Sequence, residues 1–442
     1  VSDPGGWPAG RYPDVQVDSQ LSVPEARVSV PVPPGRGRWR LTASARQFAP
    51  GRPRPVVAQL TGAYGRRLEK PWSAAASLTF TLDGRAPEAA AIRELITDVR
   101  AYRWDEYYGE REMFRGIVAH GEDQLTEEAH AVTFVAYDYV KMLERRQLPT
   151  ALRFDQVAQD RIATTLVEAA KNTSAADGTS LFPGSYLPLA LDYVAPDGSP
   201  RPGPDDPSQP LRDRSYLPSQ QVGLALDQLS KVSGGFDYDV APGGGGPGGG
   251  EDRLRIFYPY QGINRVHPRL VYGSTISSLT RTVTSDSYAN YVWVVGGSSA
   301  PDVADAPPLF SELWNTDAND VTRVPVGLWQ MADNAPDVTN QSTLDQKVAG
   351  DLALQGILVP SYTMAMRPGA YTYGSPGVGD VCSLVIRSGR LDVGTTVRVL
   401  GIQYAIGDDG SEDVTLTVGR PPPSFVQLLT QADQDVDALS RR

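Results

Sequence analysis

The chain reads as a β-dominated, multidomain α+β protein, and three observations predict it. From Gly379 to Gly419, apolar residues alternate with polar ones: Val397 and Val399, then Ile402, Tyr404 and Ile406, then Val414, Leu416 and Val418. Each set gives a short strand one apolar face to bury. A second strand-rich region lies far upstream, where Met113 to Ala119 and Ala131 to Tyr139 flank the polar connector Gly121 to Glu128. Composition agrees, because 43 Gly and 37 Pro in 442 residues favour strands, turns and long loops over helix bundles. That length suits two to four domains, each with its own core.

The elements follow in order. Residues 1–38 are rich in Pro and Gly and suit an arm. Strands are expected at Trp39 to Ala45, Val56 to Thr61 and Ser77 to Leu82. Pro87 then opens a helix carrying Ile92, Leu95, Ile96 and Val99 at helical spacing. From Phe154 the pattern turns helical, with Ile162, Leu166, Val167 and Ala170 on one face and a stop at Asn172-Thr173. Ala195 to Pro210 holds too many prolines for a ladder. A further helix is capped by Ser219, lined by Val222, Ala225, Leu226 and Leu229, and ended by Gly234-Gly235 before the strand Phe236, Tyr238, Val240. Gly243 to Gly250 is a flexible hairpin tip leading to Leu254 to Tyr258. Leu270 to Gly273, Ile276 to Val283 and Tyr291 to Gly297 are strands. A helix capped by the box Ser342 to Asp345 turns Leu344, Val348 and Leu352 inward. Asp408-Asp409-Gly410 closes a hairpin between the last two strands, since Gly accepts positive φ. After Pro421-Pro422-Pro423, Ser424 with Gln427 caps a last helix with an apolar stripe from Phe425 to Leu439.

The search for chemistry excludes more than it finds. The 52 acidic against 41 basic residues give a net charge of −11, which argues against a surface built to hold phosphate backbone. Cys382 is the one cysteine, so no intramolecular disulfide or cysteine metal cluster forms, and its place in a strand pattern reads as a small buried hydrophobe. Residues 1–12 lack a signal pattern, and no apolar run approaches the length of a membrane span. HExxH, GxSxG and CxxC are all missing. The Gly243 to Gly250 run has no Gly-Lys pair for phosphate, and Asp252 beside it would repel an anion. His120 and His130 flank one polar connector and can meet across a hairpin, but read as unliganded imidazoles, while His267 precedes Pro268 in an extended loop.

Asp105, Glu106, Glu110 and Glu112 form the one acidic group resembling a glycosidase pair, and it reads as a solvated turn beside Tyr107 and Tyr108. Asn315, Asp317, Asn319 and Asp320 begin like a calcium loop that fails at its sixth position, Asp320, and its twelfth, Val326. Trp39, Trp72, Trp104, Trp293, Trp314 and Trp329 are spread along the chain rather than clustered. Tyr102, Trp104, Tyr107 and Tyr108 make the one local aromatic group that a glycan-binding reading has to rest on. The reading is of no catalytic residue, no metal and no cofactor.

The run Phe114 to Arg146, FRGIVAHGEDQLTEEAHAVTFVAYDYVKMLERR, resembles the pattern of strand, G-x-V, connector, strand and D-Y-x-x-x-L-x-x-R found in tail hub proteins of long-tailed bacteriophages, often called minor tail proteins. The segments Leu224 to Val240, Leu254 to Gly262, Leu270 to Gly297 and the GDV of Gly379 to Val381 agree in order, so the resemblance runs from about residue 30 to 420. It implies a homotrimer in the virion tail tip, assembled in the host cytoplasm, with two tube-like β-barrel domains per subunit. Six barrels then adapt sixfold to threefold symmetry. A distal tail or tail tube protein is expected above, the tape-measure protein in the lumen, tip or fibre proteins below, and DNA passing transiently without specific binding. On that basis residues 1–38 are the arm, 39–150 the first barrel and 151–269 an α+β middle domain. Residues 270–297 with 374–420 make the second barrel, 298–373 an inserted α+β domain and 424–442 the C-terminal helix. Many relatives carry a C-terminal peptidase or lysin domain, whereas this chain ends about twenty residues after its last strand, so a structural role without cell-wall cleavage is expected. The alternative is a tail-associated protein that binds or cleaves cell-wall glycan.

Overall fold

Alternating burial builds most of this molecule. The computed structural model describes residues 38–45, 55–105, 109–171, 187–204, 206–232, 234–243, 250–283, 285, 288–298, 307–315, 327–336, 338–356, 360–371 and 375–419. The arm before Arg38, most of the Gly-rich tip, the Asp317 to Asp320 segment and the helix expected at 424–442 lie outside the described residues.

The first strand unit comprises β1 (Arg38–Ala45), β2 (Val56–Gln59), β3 (Tyr64–Pro71), β4 (Ser77–Asp83), a short α1 (Pro87–Ala90), β5 (Thr97–Asp105), β6 (Gly109–Leu125) and β7 (His130–Tyr137). The helix expected through Val99 ends at Ala90. Leu95 has φ +63, and Val99 and Ala101 instead alternate inward on β5, paired between β1 and β6. After α2 (Val140–Leu143), a middle region contains β8 (Leu152–Ala158), α3 (Gln159–Lys171), β9 (Leu189–Val194), β10 (Leu211–Tyr216), α4 (Val222–Ser230), β11 (Asp237–Ala241) and β12 (Asp252–Phe257). Here Phe154 lies on a strand, opposite Arg214, not in a helix. Ser219 does not cap α4, whose N-cap is Gln221 without a side-chain bond. The inward residues of α3 and α4, from Ile162 to Leu229, pack on Leu189, Leu254 and Ile256 of the β11-β12-β9 sheet.

β13 (Asn264–Val271) and β14 (Ile276–Thr282) begin the second strand unit, and an insertion follows. It holds β15 (Tyr291–Ser298), β16 (Pro308–Trp314), β17 (Gln330–Ala335) and α5 (Gln341–Gln355). Tyr291 to Gly297 was expected in the second unit, but β15 is the centre of a separate sheet ordered β16-β15-β17. Its inner residues Val292 and Val294 close on Leu344 and Val348 of α5. Asn340, rather than Ser342, caps α5, accepting from the amides of Ser342 and Thr343. The chain then returns through β18 (Ser361–Met366), β19 (Val381–Ser388), β20 (Leu391–Ile406) and β21 (Glu412–Gly419). β18 was placed in the insertion by sequence; it pairs with β14 and β21 in the main sheet.

The two units repeat one plan. In the first, the order β5-β6-β7-β4-β3 is antiparallel throughout, and in the second β19-β20-β21-β18-β14 matches it strand for strand. Even the irregularities coincide. β20 pairs Val399 with Val418 and then Gly401 with Thr417, and β6 pairs Val118 with Ala136 and then His120 with Val135. Each long strand thus carries a bulge where its partner changes, which lets one strand serve two layers. The jump in apolar phase from Val399 to Ile402 is that bulge, so the two segments expected as separate strands are one strand of 16 residues.

The expected separate barrels are not found among the described residues. β3 pairs with β20 from Arg66↔Ile406 to Pro71↔Gly401, joining both units into one 13-stranded open sheet with a shared core. A strand edge that would have closed a unit on itself is used to reach its neighbour.

Candidate functional site

The described chain brings several of its buried charges together where the units and the middle region meet. Asp138 follows β7, and its carboxylate accepts from the amides of Ala76 (2.9 Å) and Val140 (3.0 Å), fixing the exit from the first unit. Tyr139, fully buried, donates to Asp98 at 2.7 Å, Leu143 enters the middle core, and Arg146 donates to the Ala170 carbonyl at 3.4 Å. The four fixed positions of the D-Y-x-x-x-L-x-x-R pattern therefore form a joint.

A second joint returns the chain to the second unit. Gly262 and Gly379, at φ +90 and +88, pass so closely that a Cβ on either would stand about 2.2 to 2.4 Å from the other strand's backbone, which only glycine allows. Asp380 accepts from Ile263 N (2.9 Å), Gly377 N (2.8 Å) and Arg265 Nε (2.9 Å). Arg398 of β20 pairs with Asp237, donates to the carbonyls of Gln261 (2.9 Å) and Gly379 (3.1 Å), and lies 4.7 Å over the Trp72 ring. One guanidinium thus ties three parts of the chain. Across the sheet, Glu412 accepts from Trp39 Nε1 (2.5 Å) and from Arg103 Nε (2.7 Å) and Nη2 (3.0 Å), linking β21 to β1 and β5.

Between these ties lies a cavity of about 270 Å³ lined in part by Lys70, Glu112, Arg115, Asp138, Asp239 and Arg255. Burial pushes the Asp138 carboxyl up to about 7, overriding the two amides that favour its charge. Burial brings the half-buried Lys70 ammonium down to about 8, partly offset by Asp239. Arg115 pairs with Glu112 (2.7 Å) and with Asp252 (2.8 Å), and donates to the carbonyls of Gly243 (3.0 Å) and Gly250 (3.1 Å). Asp252, expected to repel an anion beside the Gly-rich tip, instead holds the base of that hairpin to β6.

The other sequence candidates come apart. Of the expected solvated acidic turn, Glu110 is exposed as expected, beside Arg40 at 2.9 Å, whereas Asp105 and Glu112 are partly buried and pair with Arg103 (2.5 Å) and Arg115. Glu106, Tyr107 and Tyr108 lie outside the described residues. Arg40 lies 4.2 Å over the Tyr102 ring and Arg38 5.2 Å over that of Trp104, which stays 37% exposed. His120 does not meet His130. It faces Val135 while His130 faces Leu125 and binds Asp123 at 2.8 Å, so five pairs, about 17 Å of ladder, separate them. Among the described residues no group of three or more His, Cys, Asp or Glu is arranged to hold a metal ion. Cys382 is buried, and desolvation pushes its thiol up to about 12. Sequence reasoning missed Arg103, Arg115, Arg398, Asp237 and Glu412. The available signal was an arginine inside an apolar run, as in Phe114-Arg115-Gly116, where a buried charge requires a partner.

No protein-family model matches the chain, and no curated protein matches it by sequence. Solved structures do match. A tail protein from Neisseria meningitidis MC58 aligns with TM-score 0.50 at 11% identity, over 88% of this chain and 98% of its own. The 43 kDa tail protein of prophage MuSo2 from Shewanella oneidensis aligns with TM-score 0.51 at 10% identity, over 87% and 98%. The chain has the fold of these tail proteins.

Proposed function

We propose that the chain is a structural, non-enzymatic tail hub protein of a phage virion, three copies of which form a ring around the channel at the tail tip. The observation that carries this reading is the internal repeat. Within one chain, β3 of the first unit pairs with β20 of the second. The matching partners in the opposite sense, β14 of the second unit and the outer half of β6 in the first, are left with exposed side chains. Using the β3-β20 register for β14 of one copy and β6 of the next sets Arg281 opposite Asp123 and Leu279 opposite Leu125, which is 73% exposed. One pairing rule then serves within and between chains, and a head-to-tail contact of this kind closes into a ring that covers the free edges of β6 and β14. Three copies supply six quasi-equivalent units, the match to a sixfold tube. The likeness of fold to tail proteins supports the same reading.

In that ring the tail tube or distal tail protein sits above and tip or fibre proteins sit below. The lumen holds the tape-measure protein and later passes DNA, for which an acidic chain avoids tight phosphate contacts. The test is charge exchange. Asp123→Arg and Arg281→Asp should each lower ring formation in sedimentation and electron microscopy, and the double variant should restore it. Rings of six identical copies, or rings insensitive to all three variants, would sink the proposal.

A further inference from the structure

The inserted sheet gathers aromatic residues that look dispersed in the sequence. On β15 and β16 the inner residues Val292, Val294 and Leu309 pack toward α5, so Tyr291, Trp293, Phe310 and Trp314 share the opposite face. The pairing sets Tyr291 opposite Trp314, with rings 6.2 Å apart, and Trp293 sits 6.1 Å from Phe310. Trp314 and Phe310 are 60% and 50% exposed. On the neighbouring strand Ala332 lies directly beside Trp293, with Gln330 and Asn334 at the adjoining positions of the same face, all three exposed. The small Ala332 leaves a shelf along the Trp293 ring, ended by two side-chain amides. Glu312 completes the face, accepting from the Tyr291 hydroxyl at 2.5 Å.

We propose that this face binds a neutral, β-linked oligosaccharide of gluco-configured pyranoses. Such sugars carry their hydroxyls equatorially, so each ring offers a flat C–H surface that stacks on an indole or phenyl face while its edge seeks amides and carboxylates. Those are the groups present. The outward positions of the three strands hold no Lys or Arg, and Glu312 adds negative charge, so anionic glycans are disfavoured. Size argues against a second copy of the chain. Three strands span about 15 Å by 20 Å, on the order of 300 Å², against ~800 Å² per partner in a stable protein interface. That footprint fits two or three sugar rings.

The experiment titrates the full chain with chitotetraose and cellotetraose, following tryptophan fluorescence and calorimetry, with polygalacturonate as the charged control. Saturable binding of at least one neutral tetrasaccharide is expected, weakened tenfold or more by Trp314→Ala. Ala332→Glu fills the shelf without removing an aromatic and should weaken it similarly, which guards against a folding defect in the tryptophan variant. No saturable binding by the folded chain, tighter binding of polygalacturonate, or affinity unchanged in both variants overturns the proposal. Because ring assembly uses β6 and β14, sedimentation of the same variants should be unaltered. A loss of rings in Trp314→Ala would make the face a protein contact and also overturn the glycan assignment.

Discussion

The first and second strand units share strand order, register and bulge position, yet few side chains. Phe80 and Phe134 face each other in the first core, with rings 5.6 Å apart, and the equivalent pair in the second is Met364 and Leu416. Arg100 and Arg115 stand opposite each other on β5 and β6, and the equivalent pair on β19 and β20 is Ser383 and Thr396. Backbone geometry is thus kept by apolar alternation and a bulge, which many side chains satisfy. Charge is placed only where a unit has something to hold. The first unit buries Arg115 because the base of the Gly-rich hairpin docks there, and Arg103 because β21 of the second unit meets it through Glu412.

The widest separation between the units should come from that docking charge. Arg115→Ala leaves Asp252 fully buried without its cation and Glu112 with only the longer pair to Arg100, and should cost about 3–5 kcal/mol in denaturant unfolding. The equivalent Thr396→Ala, at an exposed position, should stay within about 0.5 kcal/mol. Similar losses for both would show that the charged anchor is not what distinguishes the units.

A pH effect should belong to the first unit's joint and have no counterpart in the second. The Asp138 carboxyl sits near 7 in the folded chain, so the folded state holds its proton more tightly than the unfolded state does. Its contribution is greatest below pH ~4, falls as pH rises to about 7 and is constant above, since the unfolded carboxyl ionises first. Thermal midpoints measured from pH 4 to 8 should carry this decline, and Asp138→Asn should make it shallower, leaving the part due to Asp160, whose carboxyl burial pushes up to about 6. An unchanged slope in the variant would assign the pH dependence elsewhere.

The smallest difference concerns the hairpin turns. Gly410, at φ +77, closes β20 to β21, whereas the equivalent turn from Thr126 to Ala129 has no residue at positive φ. Gly410→Ala should destabilise by about 1 kcal/mol through left-handed strain. Thr126→Ala instead removes the hydroxyl that donates to the Ala129 carbonyl (3.1 Å) and accepts from its amide (3.0 Å), for a comparable or smaller loss. Calorimetric midpoints of the two variants would compare them directly.

What the sequence determined by itself was the local periodicity. Val397 and Val399, then Ile402, Tyr404 and Ile406, then Val414, Leu416 and Val418 are all buried as their alternation predicts, and Leu344 and Val348 face inward on α5. One-sided burial writes itself into neighbouring residues, so a single strand or helix face is legible without its partner. The D-Y and GDV patterns were also visible, although their work as joints was not. Only the tertiary structure decided the seam and the site. β3, with Arg66, Arg67, Glu69 and Lys70, has a charged sequence with little strand signal, and its pairing to β20 spans more than three hundred residues. Glu412 found Arg103 at a similar distance along the chain, and Asp252 found Arg115 across more than a hundred residues. Trp293 and Trp314 became neighbours of one face only when β15 left the second unit to centre its own sheet. The partner of a strand edge or a buried charge is set by which distant segment can satisfy its hydrogen bonds and neutralise it, and that choice leaves no local trace.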